Sequence, residues 1–545
     1  MFKLEISLKR VQTFIFEVPR LRAMLGANAL IGQTMRYELP RLLGNKGLRL
    51  DWPSGIASLY DEDPLDKTDD LDNADNPAAL YERGILARDG GHFIAVFKDD
   101  ADAKGFLREA EEKLAELLPG VLYDARLEPG EPEKIGPRET QLLDLPVLQV
   151  CQETGRGPAS DKEGDDWQAC SVTHREKWGD RFYAERSEDE EGTKDIIGLL
   201  RRELYPDGDN NWHRPHDLAQ LAAGSYLALI HTDGNGIGKR YKEWKDKALP
   251  GLDELGKEAH GEAFFHSMRV AVRRALVKAL KETFAEATET DPKAKTPRPY
   301  EVLMLGGDDL LLICRADKAL PFASTYAAEL EKYKLADTTD GEEGHPLHVA
   351  IGVAIAQKTY PLHRLNELAE SLASSAKRLY RALPESEKAS VIDWQVVTQS
   401  WFEGVADARK ASECLAYTVN GDTETLLLTA RPCRVAGEDG LDGLLAAAKK
   451  LDGTGGDKAA RSPLRSLRTT CERGRLMGEM AFTRLPKEVR AALAWDKDKG
   501  GLWRTFDRTK AEESKPEGRD SIHITRAFDI IGIWEIARLG GRKHD

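Results

Sequence analysis

Glu301-Val302-Leu303-Met304-Leu305-Gly306-Gly307-Asp308-Asp309-Leu310-Leu311-Leu312-Ile313-Cys314 sets two glycines and two adjacent carboxylates between two apolar, strand-forming runs. The pattern predicts a β-hairpin with the acids at its tip. Glycine accepts the positive φ of a tight turn, and the flanking strands fix where the aspartates stand. Two adjacent carboxylates are costly to hold together unless a cation lies between them, and a hard divalent ion such as Mg2+ or Mn2+ is the usual solution.

Upstream, Leu227-Ala228-Leu229-Ile230-His231-Thr232-Asp233-Gly234-Asn235-Gly236-Ile237-Gly238-Lys239 carries an apolar strand into an aspartate and a glycine-rich turn. Laid beside the hairpin, that strand would bring Asp233 to Asp308 and Asp309. Three carboxylates around one or two metal ions suit phosphoryl or nucleotidyl transfer. Either motif alone is also the composition of a solvated surface turn, but the pair, each in a strand context, favours an active site.

Working outward, the segment 223–398 reads as a βαββαβ unit with an added helix and strand, the order of a ferredoxin-like palm. Its long helix, near Glu254 to Glu286, repeats Phe265, Met268, Val272, Leu276 and Ala279 at helical spacing, which marks a core face. Residues 1–150 carry a weaker version of the same order. There Asp89-Gly90-Gly91-His92-Phe93 mirrors the GGDD turn, with histidine and phenylalanine in place of the two acids. The expected fold is therefore α+β: two ferredoxin-like palms, only the second able to hold metal, a charged insert over 151–222, and a mainly helical C-terminal domain over 399–545. In that last part Leu464 to Leu485 and His523 to Leu539 read as the clearest helices.

With 545 residues the chain is too long for one core. No apolar run approaches the length of a membrane span, and Met1-Phe2-Lys3-Leu4-Glu5-Ile6 begins as a strand and not as a signal peptide, so a cytoplasmic protein without membrane contact is expected. Six widely spaced cysteines argue against a disulfide framework. Cys151, Cys170 and His174 share one polar segment, but closely spaced cysteine pairs and a fourth ligand are missing, so zinc is not expected there. The net charge of −14 argues against broad electrostatic binding of nucleic acid by the chain alone. The acidic stretches from Asp61 to Asp75 and from Glu188 to Glu191 read as solvated loops.

Taken in order, these motifs resemble the CRISPR polymerase family, the large subunit of type III CRISPR effector complexes of the Cmr and Csm forms. The resemblance is carried by Ile6-Ser7-Leu8-Lys9-Arg10-Val11-Gln12-Thr13-Phe14-Ile15, by Arg20-Leu21-Arg22-Ala23-Met24-Leu25-Gly26-Ala27-Asn28-Ala29-Leu30, by the Asp233 and GGDD motifs, and by Leu428-Thr429-Ala430-Arg431-Pro432. It implies a synthase that joins ATP into cyclic oligoadenylate or a related cyclic nucleotide, with two nucleotides lying between the palms. Other type III subunits, guide RNA and target RNA would be its partners through the complex.

On this sequence the resemblance implies Asp233, Asp308 and Asp309 as metal ligands, with Gly234 beside the metal. Gly306 and Gly307 would leave room for phosphates, and Lys377 would meet the triphosphate. Lys239 and Arg240 are weaker phosphate candidates, and Ser267 is a candidate for approaching a base. From sequence alone a solvated helix lysine is the more common outcome for Lys377. Asn235 stands where many relatives carry a second acid, and the family's HD nuclease motif is not seen, the dipeptide His216-Asp217 reading as accidental; cleavage of single-stranded DNA is therefore not expected. Two alternatives stay open: a catalytically silent structural subunit, and a free-standing defence cyclase that needs no guide RNA.

Overall fold

The structure, a computed structural model, describes residues 1–18, 20–53, 75–129, 149–155, 158–183, 212–213, 215, 217–248, 252–284, 296–335, 344–397, 404–419, 422–453, 461–495, 500–507 and 521–540. The acids from Asp61 to Asp72, Glu188 to Glu191 and His216 lie outside them.

The N-terminal sheet is built from β1 (Phe2–Lys9), β2 (Ile85–Ala87), β3 (His92–Phe97) and β4 (Leu122–Glu128), in the order β2-β3-β1-β4. The helices Leu21–Gln33 and Asp100–Leu117 supply the two crossovers of a ferredoxin-like unit. A small hairpin, β5 (Asp161–Glu163) and β6 (Asp166–Gln168), leads to the insert helix Cys170–Tyr183, which lies along the helix Leu21–Gln33. That approach is backbone to backbone. A Cβ on Gly26 would stand 1.9 Å from the Arg175 carbonyl oxygen, and one on Gly179 would stand 2.3 Å from that of Arg22, so only glycine fits at either point.

After the two-residue strands β7 (Trp212–His213) and β9 (Thr296–Pro297), which pair with each other, the second palm is a six-stranded sheet. It contains β8 (Tyr226–Gly234), β10 (Tyr300–Gly306), β11 (Asp309–Arg315), β12 (Val349–Gln357), β13 (Val391–Val396) and β16 (Cys433–Arg434), ordered β10-β11-β8-β12-β13-β16. Both of its faces are covered. Ile230, Leu310, Leu312 and Val353 pack under the helices Glu254–Phe284 and Ala316–Leu330. Leu229, Leu311, Ile313 and Ala354 join the helix Leu362–Ala382 and the core of the first palm in one continuous cluster. Burial on both faces explains why Leu310 to Cys314 is apolar without alternation.

The C-terminal region adds a small sheet to the helices expected there. Besides six helices (Val405–Ser412, Leu441–Gly453, Arg461–Cys471, Arg475–Thr483, Lys487–Leu493 and Ala527–Ala537), its described residues form a four-stranded sheet. The strands are β14 (Cys414–Val419), β15 (Asp422–Leu427), β17 (Arg504–Asp507) and β18 (Ser521–Ile524), ordered β14-β15-β18-β17. His523 is thus in a strand, and the stretch Leu464 to Leu485 is two helices. The strands are short and polar, and β15 pairs with the distant β18, so no local periodicity announces the sheet.

This region is tied to the second palm by buried ions. Arg409 donates to Asp393 of β13 at 2.7 Å, and Arg431 reaches Glu413 at 2.6 Å, Asp529 at 2.9 Å and the Trp394 carbonyl oxygen. Thr429 Oγ1 and the Ala430 N–H donate to the same Asp529, at 2.8 and 2.7 Å. No helix among the described residues is long and apolar enough to cross a membrane.

Candidate metal centre

Strand register assembles the acids. In the antiparallel pair β8 and β11, Thr232 stands opposite Leu310, so the next step outward sets Asp233 beside Asp309. Gly306 pairs with Asp309 across a two-residue loop, Gly307-Asp308, whose first residue takes φ +60°. That positive φ is why glycine leads the turn. A Cβ on Gly234 would meet Asp308 Oδ2 at 2.7 Å, so glycine there lets the Asp308 side chain lie against the backbone of β8.

One oxygen from each of Asp233, Asp308 and Asp309 lies within 4.8 Å of the others, and among the described residues this is the one group of three or more potential metal-ligating side chains so gathered. Lys377, on the helix Leu362–Ala382, closes the group with its Nζ 2.6 Å from Asp233 Oδ2. Burial pushes the Asp309 carboxyl up to about 7, and the negative charges of Asp308 and Asp233 push the same way. Asp308 is raised too, first by burial, although its own backbone N–H and Lys377 oppose the shift. Three gathered carboxylates, two of them with their carboxyls pushed up, and one ammonium as partial relief fit a hard divalent cation.

Other candidates fall elsewhere. Lys239 is largely exposed and meets Glu243 at 3.6 Å. Both guanidinium ends of Arg240 donate at 2.9 Å to backbone carbonyls, of Pro346 and His345, so the sequence reading of a phosphate contact gives way to one that fastens a loop. Ser267 is fully buried within its helix and donates to the Phe264 carbonyl oxygen at 2.7 Å, which removes it from any base. Cys151, Cys170 and His174 are not gathered into a metal-binding group, and all six cysteines are free thiols.

A cavity of about 410 Å3 opens between the two palms. The first palm gives it Arg10, Arg36 and Arg88 with the Gly90-Gly91 turn; the second gives Arg269, Arg273, Gly306, Gly307 and Asp309. These arginines, and the acids that hold them, were missed by sequence reasoning. The available signal was Arg269 and Arg273 four residues apart in the apolar run Met268 to Leu276, which calls for buried partners. One partner is Asp75, expected as a solvated loop residue and found fully buried, because Arg269 and Arg273 neutralise it and hold its carboxyl well below the usual range.

The repeat between the palms also needs correction. In the first palm Asp89 pairs with His92 across the loop Gly90-Gly91, and His92 stands opposite Ser7. The positions equivalent to Asp308, Asp309 and Asp233 are therefore Gly91, His92 and Ser7. Matching glycine to glycine puts Phe93 in that set, but Phe93 is fully buried in the core.

Comparison with curated proteins gives no match to the chain. Among solved structures it resembles a Csm1-Csm4 cassette in complex with AMPPNP (12% identity, 99% of this chain and 70% of that chain covered, TM-score 0.46). It also resembles a Csm1-Csm4 cassette in complex with cA4 (13%, 99% and 70%, TM-score 0.40). A third likeness is the Csm1-Csm4 subcomplex in the type III-A CRISPR-Csm interference complex (12%, 99% and 70%, TM-score 0.41). Residues 226–382, which carry all three carboxylates and Lys377, match the family model of the Cas10/Cmr2 second palm domain.

Proposed function

We propose that the chain is a divalent-metal-dependent nucleotidyltransferase that condenses ATP into cyclic oligoadenylate or a related cyclic nucleotide, acting as the large subunit of an RNA-guided type III effector complex. The observation that carries this reading is the trio Asp233, Asp308 and Asp309, within 4.8 Å of one another, with Asp309 reaching into a cavity shared by both palms. The partners, other type III subunits with guide and target RNA, rest on the family of the second palm alone.

In this reading Asp233, Asp308 and Asp309 hold Mg2+ or Mn2+, which when bound neutralises triphosphate charge and eases deprotonation of the attacking 3′-hydroxyl. The chain's own groups do the rest. Gly306 and Gly307 leave the cavity wall open at the turn, where a Cβ on Gly306 would meet nothing within 4 Å, so phosphates can approach the backbone. Lys377 trades its bond with Asp233 for one with a phosphate oxygen when the acids take metal. The arginine wall opposite faces the second nucleotide.

The test is to incubate the full chain, with and without co-purifying RNA and subunits, with labelled ATP and Mg2+ or Mn2+, and to resolve products by mass. Cyclic adenylates that vanish in Asp308→Ala/Asp309→Ala support the reading. Absence of product under every activating condition, with RNA and partners bound, moves the function to the silent structural subunit. Activity from clean protein free of RNA and partners moves it to the free-standing cyclase.

A further inference from the structure

Asp75 stands at the junction of the palms. Arg269 Nε and Nη2 donate to its two oxygens at 3.0 and 3.1 Å, and Arg273 Nη1 donates at 2.6 Å. Both arginines belong to the long helix Glu254–Phe284 of the second palm, whereas Asp75 lies just ahead of the helix Pro77–Glu82 of the first. Arg269 also donates to Glu262 at 2.5 Å and lies 3.6 Å from Asp89, the residue that closes the Gly90-Gly91 loop and pairs with Arg36. One guanidinium therefore touches carboxylates from both palms. Its cavity neighbours include both glycine turns.

Asp75 does not line the cavity, so it acts through the arginines that do. A planar guanidinium gripping a carboxylate by two parallel bonds accepts one orientation, and burial leaves no water to accept a second. Each displaced arrangement would strand a buried charge.

We propose that Asp75 is a positioning residue: through Arg269 and Arg273 it sets the separation and orientation of the two palms across the cavity, and hence the alignment of two nucleotides held between them. The second clause rests on the two-nucleotide reading; the first does not. Other inter-palm contacts, Tyr81 to the Leu255 carbonyl oxygen at 2.7 Å and Lys3 to Glu258 at 2.6 Å, keep the palms joined when Asp75 is changed.

The experiment is a spin-label distance measurement on the full chain. Labels go on Lys104→Cys of the first palm and Arg364→Cys of the second, both more than half exposed, with Cys170 and Cys414 replaced by serine. The parent gives one narrow distance, and Asp75→Asn, which keeps shape and removes charge, gives a broadened or second population. Tyr81→Phe, a control outside the charge cluster, keeps the parent distance. Condensation by Asp75→Asn falls about 100-fold, the cost of a misplacement near 1 Å, while Mn2+-dependent affinity for a single non-hydrolysable ATP analogue stays within about twofold of the parent. A folded Asp75→Asn with the parent's distance distribution overturns the proposal, even if its melting temperature falls. Should Asp75→Asn not fold, Arg273→Gln, which leaves the Arg269 pair in place, is held to the same distance criterion. A parent that makes no product defeats the nucleotide reading, and the distances still decide the positioning role.

Discussion

In the second palm the loop Gly307-Asp308 and the strand start at Asp309 face Asp233; in the first, the loop Gly90-Gly91 and His92 face Ser7. Both loops open on a glycine at positive φ, +60° at Gly307 and +63° at Gly90, and both are clamped beside the first strand of their sheet. One hairpin geometry thus serves two ends. Three carboxylates make the second a candidate cation site, while the first, with Ser7, Gly91 and His92, carries no such charge and sets its own acid, Asp89, two positions before Gly91, where it holds Arg36. A palm hairpin supplies position, and the side chains at three places decide what chemistry that position has.

Replacing Asp308 and Asp309 by alanine attacks this contrast most directly. Product formation should fall by at least about 1,000-fold, since the transition-state charge loses its metal. The fold should persist, because the acids sit at a turn, and an unchanged circular-dichroism melt with lost activity is the expected pair of results. Full activity in this variant would end the site assignment. Lys377→Ala comes next, with a loss on the order of 10- to 100-fold from removing one charged contact to a phosphate. Its Mn2+ titration should show the acids still binding metal.

A pH experiment separates the palms without any substrate. The Asp309 carboxyl, raised from 3.8 to about 7, holds its proton more tightly folded than unfolded. In the metal-free protein its contribution is therefore most favourable below the unfolded value and is lost as pH rises toward 7. A divalent ion takes the carboxylate form, so the rise in melting temperature given by Mn2+ should grow between about pH 6 and about pH 8 and vanish in the double alanine variant. A metal response independent of pH would place the ion elsewhere. The smallest effect comes from Gly307→Ala and Gly90→Ala. Neither new methyl group meets anything closer than 3.7 Å, so each should cost about 1 kcal/mol from φ alone, read by chemical denaturation. Only the Gly307 variant should also lose activity.

The strands that carry the site were legible because they are apolar, of ordinary length and bounded by glycine. The acids were legible because charge at the end of such a run is costly without a purpose. The first palm was legible as a repeat but misregistered by one residue, since matching glycines ignores which of them opens the loop; the pairing of His92 with Ser7 settles it. The C-terminal sheet was not legible: its pairing of β15 with β18 joins residues about a hundred apart. Asp75 was hidden for a similar reason. In an acidic stretch it looks solvated, and its arginine partners stand 194 and 198 residues away.

The ionic ladder from Asp393 through Arg409, Glu413 and Arg431 to Asp529 has a mechanical consequence. It runs from β13 in the palm sheet to the last helix among the described residues, Ala527–Ala537, with Arg431 and Asp529 almost entirely enclosed. Opening one such link strands a buried charge at about 3–5 kcal/mol, so the ladder is a stiff strut. A push delivered to the far end of the C-terminal region travels to the sheet edge without being absorbed on the way.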